Sequence, residues 1–338
     1  MKVAFDSRAV SDPDGVGRYS RCLLAALRDT VTSRDEIVET LSHRALARSC
    51  GVDLLHSPWM GGAMLHSPCP TVVTIHDLGA LKRRSEHLRG GLRLRHLAVQ
   101  RAVSVIVPTE AVARDAVAHM RLDSEQVVVI PEAADAAMYP RGAEDVAAVR
   151  ERFSLPERFL VWVGDLKHPD PGKHVAKLAA VPRELPLVLV GSTRPWAHEL
   201  AGVILTGQVS DEQLAAIYTG AHALLLSSND EGFGLTAVEA LACGTPVVAC
   251  DSPALREVLG DRATFVTQGD MHGLVAAAHA ARRPAPPPPA WSWQDAARAT
   301  WEVYERTVAT VARPRPTARA LRRRRSGGMR PLDGLEPQ

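Results

Sequence analysis

The sequence predicts an α/β protein built from two domains, and three observations carry that expectation. Short, predominantly apolar runs, most of them closed by Gly, Ser, His or Asp, lead into helical patterns: Val3 to Phe5, Leu54 to Ser57, Thr71 to Ile75, Val103 to Val107, Leu160 to Gly164, Leu187 to Val190, Leu224 to Leu226 and Val247 to Ala249. Parallel strands covered on both faces require such continuous runs in place of alternation. The length of 338 residues, 46% of them apolar, suits two domains of ordinary size. The pattern also breaks between Pro131 and Pro140 and restarts near Phe159, which marks a crossing between domains.

Composition narrows the class further. Aromatics make up only 4%, so Ala, Leu and Val carry the packing. The formal charge of +2 is unevenly spread: residues 313–338 hold eight arginines against Asp333 and Glu336, which leaves the rest mildly acidic. An acidic body argues against a nucleic-acid-binding core, and such a role would rest on Arg322 to Arg325 alone. This Arg/Pro/Gly-rich tail is expected to be disordered. Five cysteines, Cys22, Cys50, Cys69, Cys243 and Cys250, lack C-x-x-C spacing and read as buried apolar residues of a reducing compartment. Lys2 to Asp6 reads directly as a first strand and no run approaches the ~18–20 residues of a membrane span. A cytoplasmic protein, soluble or peripheral, is expected.

In chain order, Val3 to Phe5 leads through a loop ending Asp14-Gly-Val-Gly-Arg-Tyr into a helix from about Arg18 to Arg28, with Tyr19, Leu23 and Leu27 on one side. Strand, glycine loop and helix form the layout of a phosphate-binding turn. Ser20 stands where a dinucleotide site needs its third glycine, so an NAD site fits poorly. Asp12-Pro13-Asp14 formally matches a D-x-D metal motif, but the proline loop favours a surface turn. Only Ile37 to Leu41 offers a second strand, a weak one. His76-Asp77 follows the strand Thr71 to Ile75, at the carboxyl end where such folds bind ligands; by itself the pair also fits a structural role.

Lys82 to Arg101 holds seven Lys/Arg residues against Glu86, interleaved with Leu88, Leu92, Leu94 and Leu97. It reads either as a solvated helix face or as a surface for a membrane or an anionic lipid-linked acceptor, with Gly90-Gly91 interrupting the helix. A helix from Thr109 and a strand from Val127 to Ile130 complete the first domain.

The second domain opens with Leu160 to Gly164 and the loop Asp165 to Lys173, which contains Lys167. Its spacing, with His174 after the last lysine, excludes a Walker phosphate loop. Strand ends follow at Gly191-Ser192 and at Gln208-Val209, and Asp211 is expected to cap a helix through Tyr218. Leu255, Val258 and Leu259 mark another helix, Thr264 to Val266 the last strand and Pro284 to Pro289 a linker.

Asn229 to Asp251, reading N-D-E-G-F-G-L-T-A-V-E-A-L-A-C-G-T-P-V-V-A-C-D, is the most informative stretch. Gly232 and Gly234 permit a tight turn and close approach of a ligand. Leu235, Val238 and Leu241 fall on one helix face, and Gly244 with Pro246 stops that helix. Glu231 precedes the helix and Glu239 lies about two turns along it. A helix start with free N–H groups, glycines and nearby carboxylates can hold phosphate oxygens and sugar hydroxyls together.

This stretch resembles the E-x7-E signature of the family 4 retaining glycosyltransferases, with Thr236 where proline is usual. The G-V-G-R-Y start, the H-D pair and the loop with Lys167 and Lys173 are similar to that family too. The resemblance covers roughly residues 1–311 and implies the GT-B fold, two Rossmann-like doubly wound domains with a cleft between them. The expected domains are 1–151 for the acceptor and 152–311 for the donor, with Trp291, Trp293 and the helix around Trp301 to Thr310 crossing back; 312–338 is the tail.

It further implies transfer of a hexose from a nucleotide diphosphate sugar, leaning to GDP-mannose, onto a glycan, lipid-linked or small-molecule acceptor with retention. No cofactor or metal is implied, the nucleotide sugar being a co-substrate. By resemblance, Lys167 and Lys173 hold the departing diphosphate, Glu231 orients sugar hydroxyls and Glu239 accepts from the ribose. His76 would lie near the sugar, Val209 at the base, and Gly15, Gly17, Gly164, Phe233, Gly234, Leu235 and Thr236 around the donor. Glu132 stands where the family commonly has P-N-G, and no role carries over to it. A UDP-sugar donor, a GT-B sugar-nucleotide epimerase and a non-catalytic nucleotide-sugar-binding protein are the alternatives.

Overall fold

The computed structural model describes residues 1–41, 51–82 and 90–312. Two parallel six-stranded sheets form its frame. The first contains β1 (Lys2–Asp6), β2 (Glu36–Thr40), β3 (Leu54–Ser57), β4 (Thr71–Thr74), β5 (Ser104–Val107) and β6 (Val127–Val129), in the order β2-β1-β3-β4-β5-β6. The second contains β7 (Leu160–Val163), β8 (Leu187–Val190), β9 (Val203–Gly207), β10 (Ala223–Leu226), β11 (Val247–Cys250) and β12 (Ala263–Val266), in the order β12-β11-β10-β7-β8-β9. Counted from β7, that is the dinucleotide-fold order, and chain direction across the sheet reverses between β7 and β10. In the first sheet it reverses between β1 and β3. Ligands of open α/β sheets sit at the carboxyl ends of strands at such points, so the topology alone places a site between the loops after β1, β3, β7 and β10.

The buried strands are the ones the apolar runs predict: all four residues of β3, β4, β8, β10 and β11 are buried. The weak second strand does form, paired from Lys2–Glu36 to Asp6–Thr40. Its half-exposed edge position explains its faint apolar signal. Two helix starts differ from expectation because side-chain caps set them. The first helix runs Gly15–Asp29, three residues earlier, since the Asp14 carboxylate accepts the Gly17 N–H. That cap also accounts for the Asp12 to Asp14 turn. Ser210, not Asp211, caps the helix Asp211–Gly220, in a capping box with Gln213.

The helix Ala143–Phe153 turns Val149 into the second domain's core together with Met138, and it packs along Asp211–Gly220. The helix Trp293–Ala312 lies on the first domain, burying Trp293, Ala297, Val303 and Tyr304 against Tyr19, Leu23 and Leu27. Full burial of each large side chain contributes about 1.5–3 kcal/mol, so this helix fastens the two halves together. Its Tyr304 hydroxyl meets buried His56 Nδ1 at 2.6 Å, and His56 Nε2 meets Thr74 Oγ1 at 2.9 Å. Burial lowers the His56 pKa to about 3, so the ring is neutral.

Contacts across the cleft rim hold the domains closed. Glu257 accepts the N–H groups of Glu110 and Ala111 at 2.7 and 3.0 Å, capping the helix Glu110–Met120 from the opposite domain. Lys82 bridges Asp115 at 2.5 Å and Asp230 at 3.0 Å.

Candidate active site

The two carboxyl edges enclose a cleft in two adjoining parts. One, of about 260 Å³, is lined by Gly15, Arg18, Gly164, Lys173, Gln208, Val209, Glu231, Leu235, Thr236 and Glu239. The other, of about 440 Å³, shares Gly15, Lys173, Glu231 and Leu235 and adds His76, Asp77, Glu132, Phe233 and Gly234. Most residues singled out from the sequence therefore meet in one space. Gly17 and Lys167 lie outside this lining. Gly17 packs the loop itself: a Cβ there would fall 1.9 Å from the Asp12 carbonyl oxygen. Lys167 directs its backbone N–H to Asp165, and Lys173 is the lysine of the pair that reaches the cleft.

Lys173 is placed by its backbone. The Ser227 hydroxyl, just past β10, donates to the Lys173 carbonyl at 2.5 Å, and the Asn229 N–H donates to that of Gly172 at 3.0 Å. The loop after β7 is thereby tied to the loop that carries Glu231. Burial raises the Glu231 pKa, against a hydrogen bond from Ser228 and the pull of Lys173.

The loop bearing Glu231 rests on the first domain. Thr109 Oγ1 donates to the Gly232 carbonyl at 2.9 Å, and a Cβ on Gly232 would sit 1.6 Å from the His76 carbonyl oxygen. Only glycine allows this approach. Gly232→Ala is expected to push the domains apart, lowering both the melting temperature and turnover; thermal melts and initial rates check it. Gly234 follows in the left-handed region at φ +83°, and a Cβ there would meet Leu255 Cδ2 at 2.4 Å. As N-cap of the helix Leu235–Ala242 it offers no capping side chain. The first-turn N–H groups at Leu235 and Thr236 are left for whatever occupies the cleft.

Glu239 lies on that helix, 1% exposed. Its Oε1 stands 3.0 Å from Arg18 Nε, yet the angle leaves it without a hydrogen-bond partner among the described residues. Burial foremost, countered by Arg18 and assisted by neighbouring acids, raises its pKa to about 7. The folded protein thus binds this proton more tightly than the unfolded chain, whose value is 4.5. The stabilisation is complete below that value and lost as pH rises through about 7. Urea titrations are expected to show this component falling between about pH 5 and 8, and Glu239→Gln is expected to remove it.

Arg18 is the functional residue that motif reading passed over. Besides Glu239, it pairs with Asp211 of the second domain at 2.5 Å and with Asp135 at 3.5 Å. Its side chain is 12% exposed. Burial works against the guanidinium, but Glu239 and Asp211 outweigh it and hold the charge. The signal lay in the G-V-G-R-Y start, which puts an arginine in the first turn of the helix that opens on the cleft. His76 sits deeper: Nε2 donates to the Pro58 carbonyl at 2.8 Å, Nδ1 meets Glu132 Oε1 at 3.1 Å, and the ring stands edge-on to Tyr19 at 4.5 Å.

Comparison with known proteins matches both halves. The sequence model described as Glycosyltransferase Family 4 matches residues 33–137, and that described as Glycosyl transferases group 1 matches 153–281. The serotype-specific mannosyltransferase WbdA of Escherichia coli is 25% identical over 221 residues, 57% of this chain and 27% of that protein. The MMP alpha-(1->4)-mannosyltransferase of Mycolicibacterium hassiacum is 31% identical over 235 residues, 62% of this chain and 55% of its own. The chain thus spans about a quarter and about half of these two relatives. The crystal structure of Anabaena Alr3699/HepE in complex with UDP and glucose superposes with a TM-score of 0.65 at 19% identity, covering 92% of this chain and 97% of that one. Its likeness extends over both sheets and concerns the fold. With models matching residues 33–137 and 153–281 and this architecture shared, the chain belongs to glycosyltransferase family 4 and has the GT-B fold.

Proposed function

We propose that the protein transfers a hexose from a nucleotide diphosphate sugar to an acceptor hydroxyl, with retention at the anomeric carbon. One observation carries this reading: Glu231, the open start of the helix Leu235–Ala242, and Glu239, whose Oε1 pairs with Arg18 but accepts no hydrogen bond from the described residues, lie along one wall, with Lys173 in the same cleft. In this reading Glu239 accepts from the ribose hydroxyls. Val209 and Gln208 border the base, and Lys173 with the helix N–H groups takes up the charge of the departing diphosphate. Glu231 orients the sugar. Fixed positive charge aimed where negative charge develops lowers the barrier without reorganisation, so the reading assigns no resident metal.

GDP-mannose is the favoured donor, supported by the two mannosyltransferase relatives and by the G-V-G-R-Y and H-D elements. A UDP-sugar is the second reading, supported by the UDP and glucose bound to HepE. For the acceptor, the helix Gly90–Gln100 exposes Leu94 and Leu97, flanked by Arg93 and Arg95. That face suits a lipid-linked acceptor at a cytoplasmic membrane surface. Lys82 does not belong to it, being bound to Asp115 and Asp230, and residues 83–89 lie outside the described ones. No described helix is long and apolar enough to cross a membrane.

The test is nucleotide release from GDP-mannose, UDP-glucose and UDP-N-acetylglucosamine, each with EDTA present, with and without cell extract as acceptor source. Release from GDP-mannose that needs extract and tolerates EDTA is expected. No release from any donor by folded protein defeats the transferase reading, and an inverted product defeats retention.

A further inference from the structure

His76 meets two protein groups with its two ring nitrogens, and both groups are acceptors. The Pro58 carbonyl can only accept, so Nε2 carries a proton. Glu132, 4% exposed, puts Oε1 3.1 Å from Nδ1, and an ionised carboxylate also only accepts. A neutral ring would face it with a lone pair. The three contact points come from separate loops, after β3, β4 and β6. The carbonyl of His76 is in turn the surface on which Gly232 of the Glu231 loop lies.

We propose that Glu132 is a positioning residue that holds His76 doubly protonated, making the histidine a rigid strut beneath the Glu231 loop and not a proton acceptor. This deepens the glycosyltransferase reading and rests on it for its kinetic arm only. Asp77 beside the ring also favours the cation, whereas burial opposes it; the neighbouring His56 stays neutral. Tyr19 meets the ring edge-on, and Asp14, Glu231 and Lys173 face it across the cleft. Burial alone draws the His76 pKa down, but the Glu132 bond and charge and the Pro58 carbonyl carry it above 6.5. The strut is therefore intact below the ordinary histidine range and dissolves as pH rises through the higher folded value. With both N–H groups committed, His76 has no lone pair for an acceptor hydroxyl's proton.

The experiment is long-range proton–nitrogen NMR on the full chain carrying ¹⁵N-histidine, without donor, with His76 assigned by its loss in His76→Gln. At pH 7.5 His76 is expected to show two ring N–H groups. Glu132→Gln, whose amide donates to Nδ1, is expected to lower its titration midpoint by about one unit, a tenfold change in proton affinity. The alkaline limb of kcat/KM is expected to move with it, costing about tenfold at pH 8 with little change at pH 6. Glu132→Asp, which keeps the charge, is expected to recover part of that loss. A single ring N–H at pH 7.5 in the wild type overturns the proposal, including the arrangement in which the shared proton sits on Glu132. An alkaline limb unchanged in Glu132→Gln overturns it as well. The wild-type spectrum decides alone should that variant not fold, or should no donor turn over.

Discussion

Lys173→Ala is expected to lower turnover at saturating donor by at least about 10²-fold, the range found when a fixed donor to a developing oxyanion is removed. Lys173 is the lysine of its loop that lines the cleft, and hydrogen bonds from the Ser227 hydroxyl to its carbonyl and from the Asn229 N–H to that of Gly172 fix where its side chain starts. A departing diphosphate gains charge as the glycosidic bond stretches, so an ammonium already in place contributes more in the transition state than in the ground state. The loss should appear in kcat more than in donor KM. Lys167→Ala gives the contrast: its residue lies outside the cleft lining, and a smaller effect is expected. Initial rates of nucleotide release, with melting curves to verify the fold, decide both. A near-wild-type rate for Lys173→Ala removes this lysine from the chemistry.

The parts legible in the sequence were those written within one element. Continuous apolar runs announced the buried strands because burial on both faces leaves no room for polar alternation. The glycines at 232 and 234 were legible as a tight turn making room for a ligand, whereas the room they make is for the His76 carbonyl and the Leu255 side chain. Cap positions were harder to place, since Asp14 and Ser210 act through one side-chain bond that apolar spacing does not register. Hidden altogether were partnerships across long sequence separations. Glu132 looked like a departure with no role, and its histidine lies 56 positions away on another loop. Lys82 counted among seven basic residues of a surface segment, whereas the fold spends its charge on Asp115 and Asp230. Arg18 meets Asp211 193 positions away, across the cleft. Only the mutual placement of the two domains creates such pairs.

Arg18→Met is expected to destabilise the protein by about 3–5 kcal/mol near pH 8, the cost of removing one partner from a buried ion pair. The variant keeps a side chain of similar length but leaves Glu239, 1% exposed, with Asp135 and Asp211 nearby and no cation. The loss should depend on pH. Glu239 already titrates at about 7, and Arg18 is the influence that holds this value down. Without the arginine the pKa rises further, Glu239 takes up a proton, and neutralisation relieves the strain at pH 6 but not at pH 8. Urea unfolding at both values measures the difference. Arg18→Met combined with Glu239→Gln removes charge from both members of the main pair and is expected to regain much of the lost stability. Nucleotide binding is expected to stay weak in the double variant, because a neutral amide replaces the carboxylate proposed to accept from the ribose. Equal destabilisation of single and double variants at both pH values would instead place the value of Arg18 in its ties to Asp211 and Asp135, making it a fastening between domains with no part in setting the charge of Glu239.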